Sequence, residues 1–288
     1  METIGIIGAG VMGVGVAHTY ALAGNKVVLI DIDTKVLEQA EQQIYTNARL
    51  YSMYNKELKK ASPDYILNNI TFTTNLETLK NVNYVIENIS ENWEKKKNLY
   101  NELNEICPST CIIAANTSCI SITKIASLAN KPENIIGTHY MNPVPLKSAV
   151  EVIKGHYTSE STIHKTKELL ASINKKPIII NDFPGFVSNR ISHLFMNEAA
   201  FVVQDGVADP KDVDAIFKEC YEHKMGPLET ADLIGIDTVV DSLDVLYESF
   251  QDPKFRCCPL LKLMVDQGRL GRKSGEGFYN YSNKIKLN

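Results

Sequence analysis

Chemistry is offered most directly by two residues on one short stretch of chain, His139 and Glu151. The segment His139-Tyr-Met-Asn142-Pro-Val-Pro reads as the end of one strand and a turn enforced by Pro143 and Pro145, and Val150-Glu151-Val-Ile153 reads as a strand running back. Such a path can bring Glu151 beside His139. A carboxylate paired with an imidazole fixes its tautomer and raises its pKa, which gives a base able to take a hydroxyl proton near neutral pH. Spacing alone leaves the matter open, because a lone histidine is more often structural and a lone glutamate solvated. The second constellation is Gly8-Ala-Gly10-Val-Met-Gly13, which directly follows a strand-like run and opens a helix-like one. Gly8 allows the tight turn, Gly10 lets a pyrophosphate approach a positive helix terminus, and Gly13 lets helix and strand pack closely. Asp31 ends the next strand-like run, where an acidic side chain can accept hydrogen bonds from an adenosine ribose. That carboxylate would repel a 2′-phosphate, so NAD is the expected cofactor rather than NADP.

These residues need a frame to hold them. Thr3 to Ile7, the glycine turn, Val11 to Leu22 and Lys26 to Ile30 make a strand–helix–strand unit, stopped between helix and second strand by Gly24-Asn25. Lys35 to Lys60 contains no Pro or Gly and predicts one extended helix, broken by Ser62-Pro63. Further strands are expected at Ile70 to Thr73, Tyr84 to Ile86, Cys111 to Ala114, Ile135 to His139, Val150 to Ile153 and Pro177 to Ile180, with helices at Trp93 to Ile106 and Ser159 to Ile173. That alternation predicts an α/β fold with a mostly parallel sheet wrapped by helices. Beyond Asn181-Asp182-Phe183-Pro184-Gly185 only helical periods remain, at Ser188 to Gln204, Lys211 to Cys220, Leu228 to Phe250 and Leu260 to Gln267. The expected division is therefore 1–183, a Rossmann-type NAD-binding domain, and 184–288, an all-α domain.

Composition narrows the function. The 30 basic and 34 acidic residues give a net charge of −4 without a long basic run, so no nucleic-acid partner is expected. No apolar stretch approaches the roughly 20 residues needed to cross a bilayer, no targeting segment precedes Thr3, and a cytoplasmic protein is expected. Six cysteines at 107, 111, 119, 220, 257 and 258 show no CxxC pair and no zinc-finger spacing, so neither a metal nor a disulfide is expected. The Gly-rich tail from Gly268 to Tyr279 lacks the preceding buried strand of a phosphate loop and reads as a packed turn.

With these residues in view, the chain resembles the 3-hydroxyacyl-CoA dehydrogenase family along nearly its whole length. The likeness is carried by Gly8 to Gly15, Val85-Ile-Glu-Asn-Ile-Ser-Glu91, Asn116-Thr-Ser118, His139-Tyr-Met-Asn142-Pro-Val-Pro, Val150-Glu151-Val-Ile and Pro184-Gly-Phe-Val-Ser-Asn189-Arg190. It continues through Gly226-Pro-Leu-Glu-Thr-Ala-Asp-Leu-Ile-Gly-Ile-Asp237 and Gly271-Arg-Lys-Ser-Gly-Glu-Gly-Phe-Tyr279. The resemblance implies an NAD-dependent oxidoreductase that interconverts a short 3-hydroxyacyl thioester and its 3-oxoacyl form, with a helical second domain that dimerises. It implies that His139 is the general base and Glu151 its partner, that Ser118 and Asn189 surround the reacting oxygen, and that Glu91 and Asn142 line the nicotinamide side. The family's coenzyme A contact, a Ser followed two turns on by a Lys, falls on Asn47 and Tyr54, neither of them a cation. Arg49, Lys56, Lys59 and Lys60 stand close by and could engage phosphates instead. The same chemistry on an acyl group tethered to a carrier protein is the alternative.

Overall fold

The computed structural model describes residues 2–54, 61–118 and 120–282; Lys56, Lys59, Lys60, Cys119 and the side chain of Tyr54 lie outside these. By its own contacts the chain divides into two compact units, Met1–Phe183 and Pro184–Asn288.

β-branched runs make the centre of the first unit. β1 (Thr3–Ile7) and β2 (Lys26–Ile30) are almost wholly buried, as strands covered on both faces must be. Between them α1 (Val11–Leu22) is buried from Gly13 to Ala21. α2 (Thr34–Tyr54) and α3 (Pro63–Leu67) lead to β3 (Ile70–Thr73) and β4 (Tyr84–Glu87). Of the helix expected from Lys35 to Lys60, the part up to Tyr54 is α2, and the remainder falls outside the described residues. α4 (Trp93–Ile106) starts at Asn92, whose side chain accepts a hydrogen bond from Lys95 N–H, one of the amides that a helix start leaves without a partner. β5 (Ile112–Ala115), α5 (Ile122–Ala126), β6 (Ile135–His139), β7 (Ala149–Lys154), α6 (Glu160–Ser172) and β8 (Lys176–Asn181) complete the unit.

The eight strands form one sheet in the order β3-β2-β1-β4-β5-β6-β7-β8. Every neighbouring pair is parallel except β6 and β7, which run antiparallel because a short turn joins them instead of a crossover helix. The architecture is the Rossmann-type, mostly parallel α/β sheet that the strand–helix alternation predicts. Ile4, Ile6, Tyr20, Leu29, Ile44 and Ile86 are fully buried in its core.

The second unit is helical: α7 (Ser188–Gln204), α8 (Pro210–Glu219), α9 (Pro227–Ile234), α10 (Ile236–Phe250) and α11 (Pro259–Asp266). The single helix expected from Leu228 to Phe250 is two. Gly235 sits between them at φ +106°, a conformation that L side chains resist, so the α-helical hydrogen-bond ladder stops there. Apolar side chains such as Met196, Leu228, Ile236, Leu243 and Leu261 form a separate core.

Two buried carboxylates brace this unit. Asp214 accepts from the N–H groups of Leu228 and Glu229 and from the Tyr279 hydroxyl. Asp232 accepts from the N–H groups of Phe278 and Tyr279 and from the Tyr281 hydroxyl. Burial pushes the Asp232 carboxyl above its ordinary pKa, and these donors pull it back. The Gly-rich tail is a turn folded onto this carboxylate: a Cβ at Gly277 would lie 2.0 Å from Asp232 Oδ1, and one at Gly271 2.3 Å from the Asp232 carbonyl. Among the described residues no helix is long and apolar enough to cross a membrane.

Candidate active site

The antiparallel exception in the sheet is where side-chain chemistry gathers. In the β6–β7 register His139 stands directly opposite Glu151, and paired residues in such a ladder bring their Cβ atoms within roughly 5 Å. The side chains meet: His139 Nδ1 lies 2.9 Å from Glu151 Oε2. Both are more than nine-tenths buried, so little solvent competes for the contact. An ionised carboxylate only accepts hydrogen bonds, so Nδ1 carries the proton and Nε2 is left as the basic nitrogen. That Nε2 faces Ser118 Oγ at 3.2 Å, across from the neighbouring strand β5.

Ser118 is held in place by its loop. Glu91 accepts hydrogen bonds from the Thr117 hydroxyl at 2.8 Å and from Ser118 N–H at 2.5 Å, tying the loop after β5 to the loop after β4. Asn116 donates to Asn88 Oδ1 at 2.7 Å and accepts from Tyr140 N–H at 3.2 Å, which joins the same loops to the end of β6. Beneath them Glu87 binds Lys96 through both oxygens at 2.7 Å and accepts from Ile89 N–H. The pair is completely buried, and burial pushes the Glu87 carboxyl up while the ammonium opposes it. Together Met12, Asn88, Glu91, Asn116, Ser118 and His139 line a cleft of about 190 Å³ at the carboxyl ends of the strands, the usual place for ligands of open α/β sheets.

Met12 stands in the first turn of α1, directly after the glycine turn, which brings the cofactor motif to the same edge. Gly8 adopts φ +92°, and a Cβ there would press within 2.7 Å of the Asn88 carbonyl. A Cβ at Gly13 would lie 1.8 Å from the Gly8 carbonyl oxygen, so this position excludes any side chain. A Cβ at Gly10 would meet nothing within 4 Å, and the first turn of α1 has neither a side-chain cap nor an acidic residue. The turn thus offers open space before unshielded helix amides, the setting in which a pyrophosphate binds. Asp31 accepts from Ala9 N–H at 2.8 Å, which puts its carboxylate against the turn. These residues fit a dinucleotide.

The other residues singled out in the sequence are placed as follows. Asn142 is exposed, three residues past His139 at a cis peptide bond to Pro143, and is not among the residues that line the cleft. Asn189 lies in the first turn of α7 in the second unit, where its carbonyl accepts from His193 Nδ1 at 2.9 Å. Arg49 is exposed on α2, and the Asn47 side chain accepts from Gln43 at 2.8 Å. Lys56 is outside the described residues. Lys96 is not singled out in the sequence, and Glu87, Asn88 and Asn116 stand inside the blocks that carry the family likeness without a role of their own.

Residues 3–183 match the family described as 3-hydroxyacyl-CoA dehydrogenase, NAD binding domain, and residues 185–281 match its C-terminal domain. A probable 3-hydroxybutyryl-CoA dehydrogenase of Deinococcus radiodurans is 43% identical over 277 residues, which is 96% of this chain and 99% of that one. One from Bacillus subtilis is 40% identical over 288 residues, 99% of each chain. The crystal structure of an (S)-3-hydroxybutyryl-CoA dehydrogenase from Ralstonia eutropha superposes with a TM-score of 0.91 at 38% identity, covering 98% of this chain and 99% of that one.

Proposed function

The chain belongs to the 3-hydroxyacyl-CoA dehydrogenase family, with that family's NAD-binding domain, and from this premise we propose that it interconverts a short 3-hydroxyacyl-CoA such as 3-hydroxybutyryl-CoA and its 3-oxoacyl form in the cytoplasm. It is an oxidoreductase, and NAD is its cofactor. The observation that supports the finer reading is the chain of contacts from Glu151 through His139 to Ser118, 2.9 and 3.2 Å long, opening on a cleft bordered by the glycine turn. The turn at Gly8, Gly10 and Gly13 and the Asp31 carboxylate would hold the dinucleotide, with Glu91 and Asn142 on its nicotinamide side. When bound, NAD supplies the hydride acceptor.

His139 Nε2 takes the proton of the substrate's secondary hydroxyl in oxidation and returns it in reduction. Glu151 keeps the Nδ1 proton in place and stabilises the imidazolium that forms. The Ser118 hydroxyl, oriented by the grip of Glu91 on its N–H, donates to the substrate oxygen as negative charge gathers there. Dimer formation falls to the helical unit, whose described surface exposes Ile191, Val207, Ile216 and Tyr221; a monomer in gel filtration would remove that part.

The deciding assay is NADH oxidation by the purified protein with acetoacetyl-CoA. His139→Gln should lower kcat by about 10²- to 10⁴-fold with NADH affinity nearly unchanged. An unchanged kcat sinks the assignment of the base. A carrier-linked acyl group is the second reading, favoured because the only cations on the described part of α2 are Lys35 and Arg49. Equal or better turnover of the free CoA ester, compared with the same acyl group on a carrier protein, removes it.

A further inference from the structure

Lys175 is a buried cation that the chemistry above does not use. It follows α6 and precedes β8, the residue is only 6% exposed, and none of the ion pairs among the described residues includes it. Burial lowers its ammonium to a pKa of about 8. An ammonium withdrawn from water without a carboxylate is costly to keep, so its acceptors must be fixed in position. Those acceptors are three backbone carbonyls: Val144 at 2.8 Å, Pro145 at 3.3 Å and Lys147 in a short contact. All three belong to the turn between β6 and β7, which separates His139 from Glu151 and carries Asn142.

The other side of the same turn rests on the nucleotide helix. A Cβ at Gly15 of α1 would lie 3.0 Å from Val144 Cγ2, so helix and turn are already in close contact. Tyr20, also on α1, hydrogen-bonds through its hydroxyl to that of Tyr140 at 2.9 Å. The residues after His139 are therefore fastened to α1 on one side and to a lysine ammonium on the other.

We propose that Lys175 is a positioning residue for the transfer: by gripping the carbonyls of Val144, Pro145 and Lys147 it sets the β6–β7 turn, and with it Asn142 and the His139–Glu151 pair, at the height of the dinucleotide turn. This rests on the dehydrogenase reading for its catalytic consequence, but the clamp itself does not. A displacement of about 1 Å in such a site costs roughly 100-fold in rate. The ammonium hydrogen-bonds to backbone carbonyls and to neither of the two paired side chains, so its loss acts on placement and not on their proton chemistry.

The test is Lys175→Ala in the full-length protein, with three readouts. Amide hydrogen exchange across residues 140–148 should accelerate by about 10-fold or more, whether or not the enzyme turns over. With acetoacetyl-CoA, kcat should fall about 10- to 100-fold while NADH affinity stays within about 3-fold. Propylammonium, which replaces the missing end of the side chain, should restore much of kcat, whereas isosteric 1-propanol should not. Exchange at wild-type rates, an unchanged kcat, or equal rescue by the alcohol overturns the proposal. If the alanine variant does not fold, Lys175→Met carries the exchange and kcat comparisons. Wild-type protein without dehydrogenase activity refutes the reading of the reaction instead, and leaves the exchange result to judge the clamp.

Discussion

The glycine turn after β1 and the β6–β7 hairpin sit at the same edge of one sheet and are built on opposite principles. The turn works through backbone: Gly8 and Gly13 permit close approach, Gly10 leaves open space, and a single added carbon at Gly13 would meet an oxygen at 1.8 Å. The hairpin works through side chains, with His139 and Glu151 brought together by an antiparallel register. A region made of backbone is sensitive to volume, whereas one made of side chains is sensitive to the identity of a donor or acceptor.

Substitutions that preserve one property and destroy the other sharpen this contrast. Glu151→Gln keeps the volume of the hairpin and changes only its hydrogen-bonding sense. An amide can donate to Nδ1 and move the imidazole proton to Nε2, so kcat should drop about 10³-fold with the thermal midpoint little changed. Near-normal kcat in steady-state assays would break the contrast at its stronger end. Gly13→Ala adds a methyl to the turn and alters no donor, and it should cost about 3 kcal/mol of stability and most of the NADH affinity. Urea titration and fluorescence titration read the two effects, and full NADH binding in the variant would show the turn to be softer than its contacts imply.

The third case crosses the divide, because α1 buries a titrating side chain. His18 is 1% exposed, its Nδ1 has no hydrogen-bond partner among the described residues, and burial lowers its pKa from 6.5 to about 4. The unfolded chain therefore binds the proton between those values and the folded one does not, so stability falls as pH drops below 6.5 toward 4. Between pH 7 and pH 5 this residue should cost the protein about 2 kcal/mol, which His18→Leu should abolish in paired urea titrations. Equal acid sensitivity in both proteins would remove His18 from the account.

How far the sequence could be read follows the same divide. The glycine motif is legible because Gly8 and Gly13 have no room for a side chain at their fixed spacing, and the strand–helix alternation is legible because burial on both faces demands β-branched runs. Trp93–Ile106 coincides with its expected span since Asn92 marks its start chemically. The break at Gly235 is hidden because the apolar helical period runs straight through it, and only the backbone angle reveals the stop. The contact of Ser118 with His139 depends on β5 lying beside β6, a fact of sheet order that no local spacing encodes. Lys96 and Lys175 look in sequence like any solvated lysine, and only three-dimensional packing shows one of them against Glu87 and the other among carbonyls.

The braces in the helical unit also order events in time. Asp214 and Asp232 leave the ribosome tens of residues before Tyr279 and Tyr281, the hydroxyls that help them tolerate burial. Until residues 278–281 arrive, Asp232 lacks its three donors and Asp214 lacks the Tyr279 hydroxyl. Replacing both tyrosines by phenylalanine should therefore take one donor from each carboxylate and loosen the helices of the unit together.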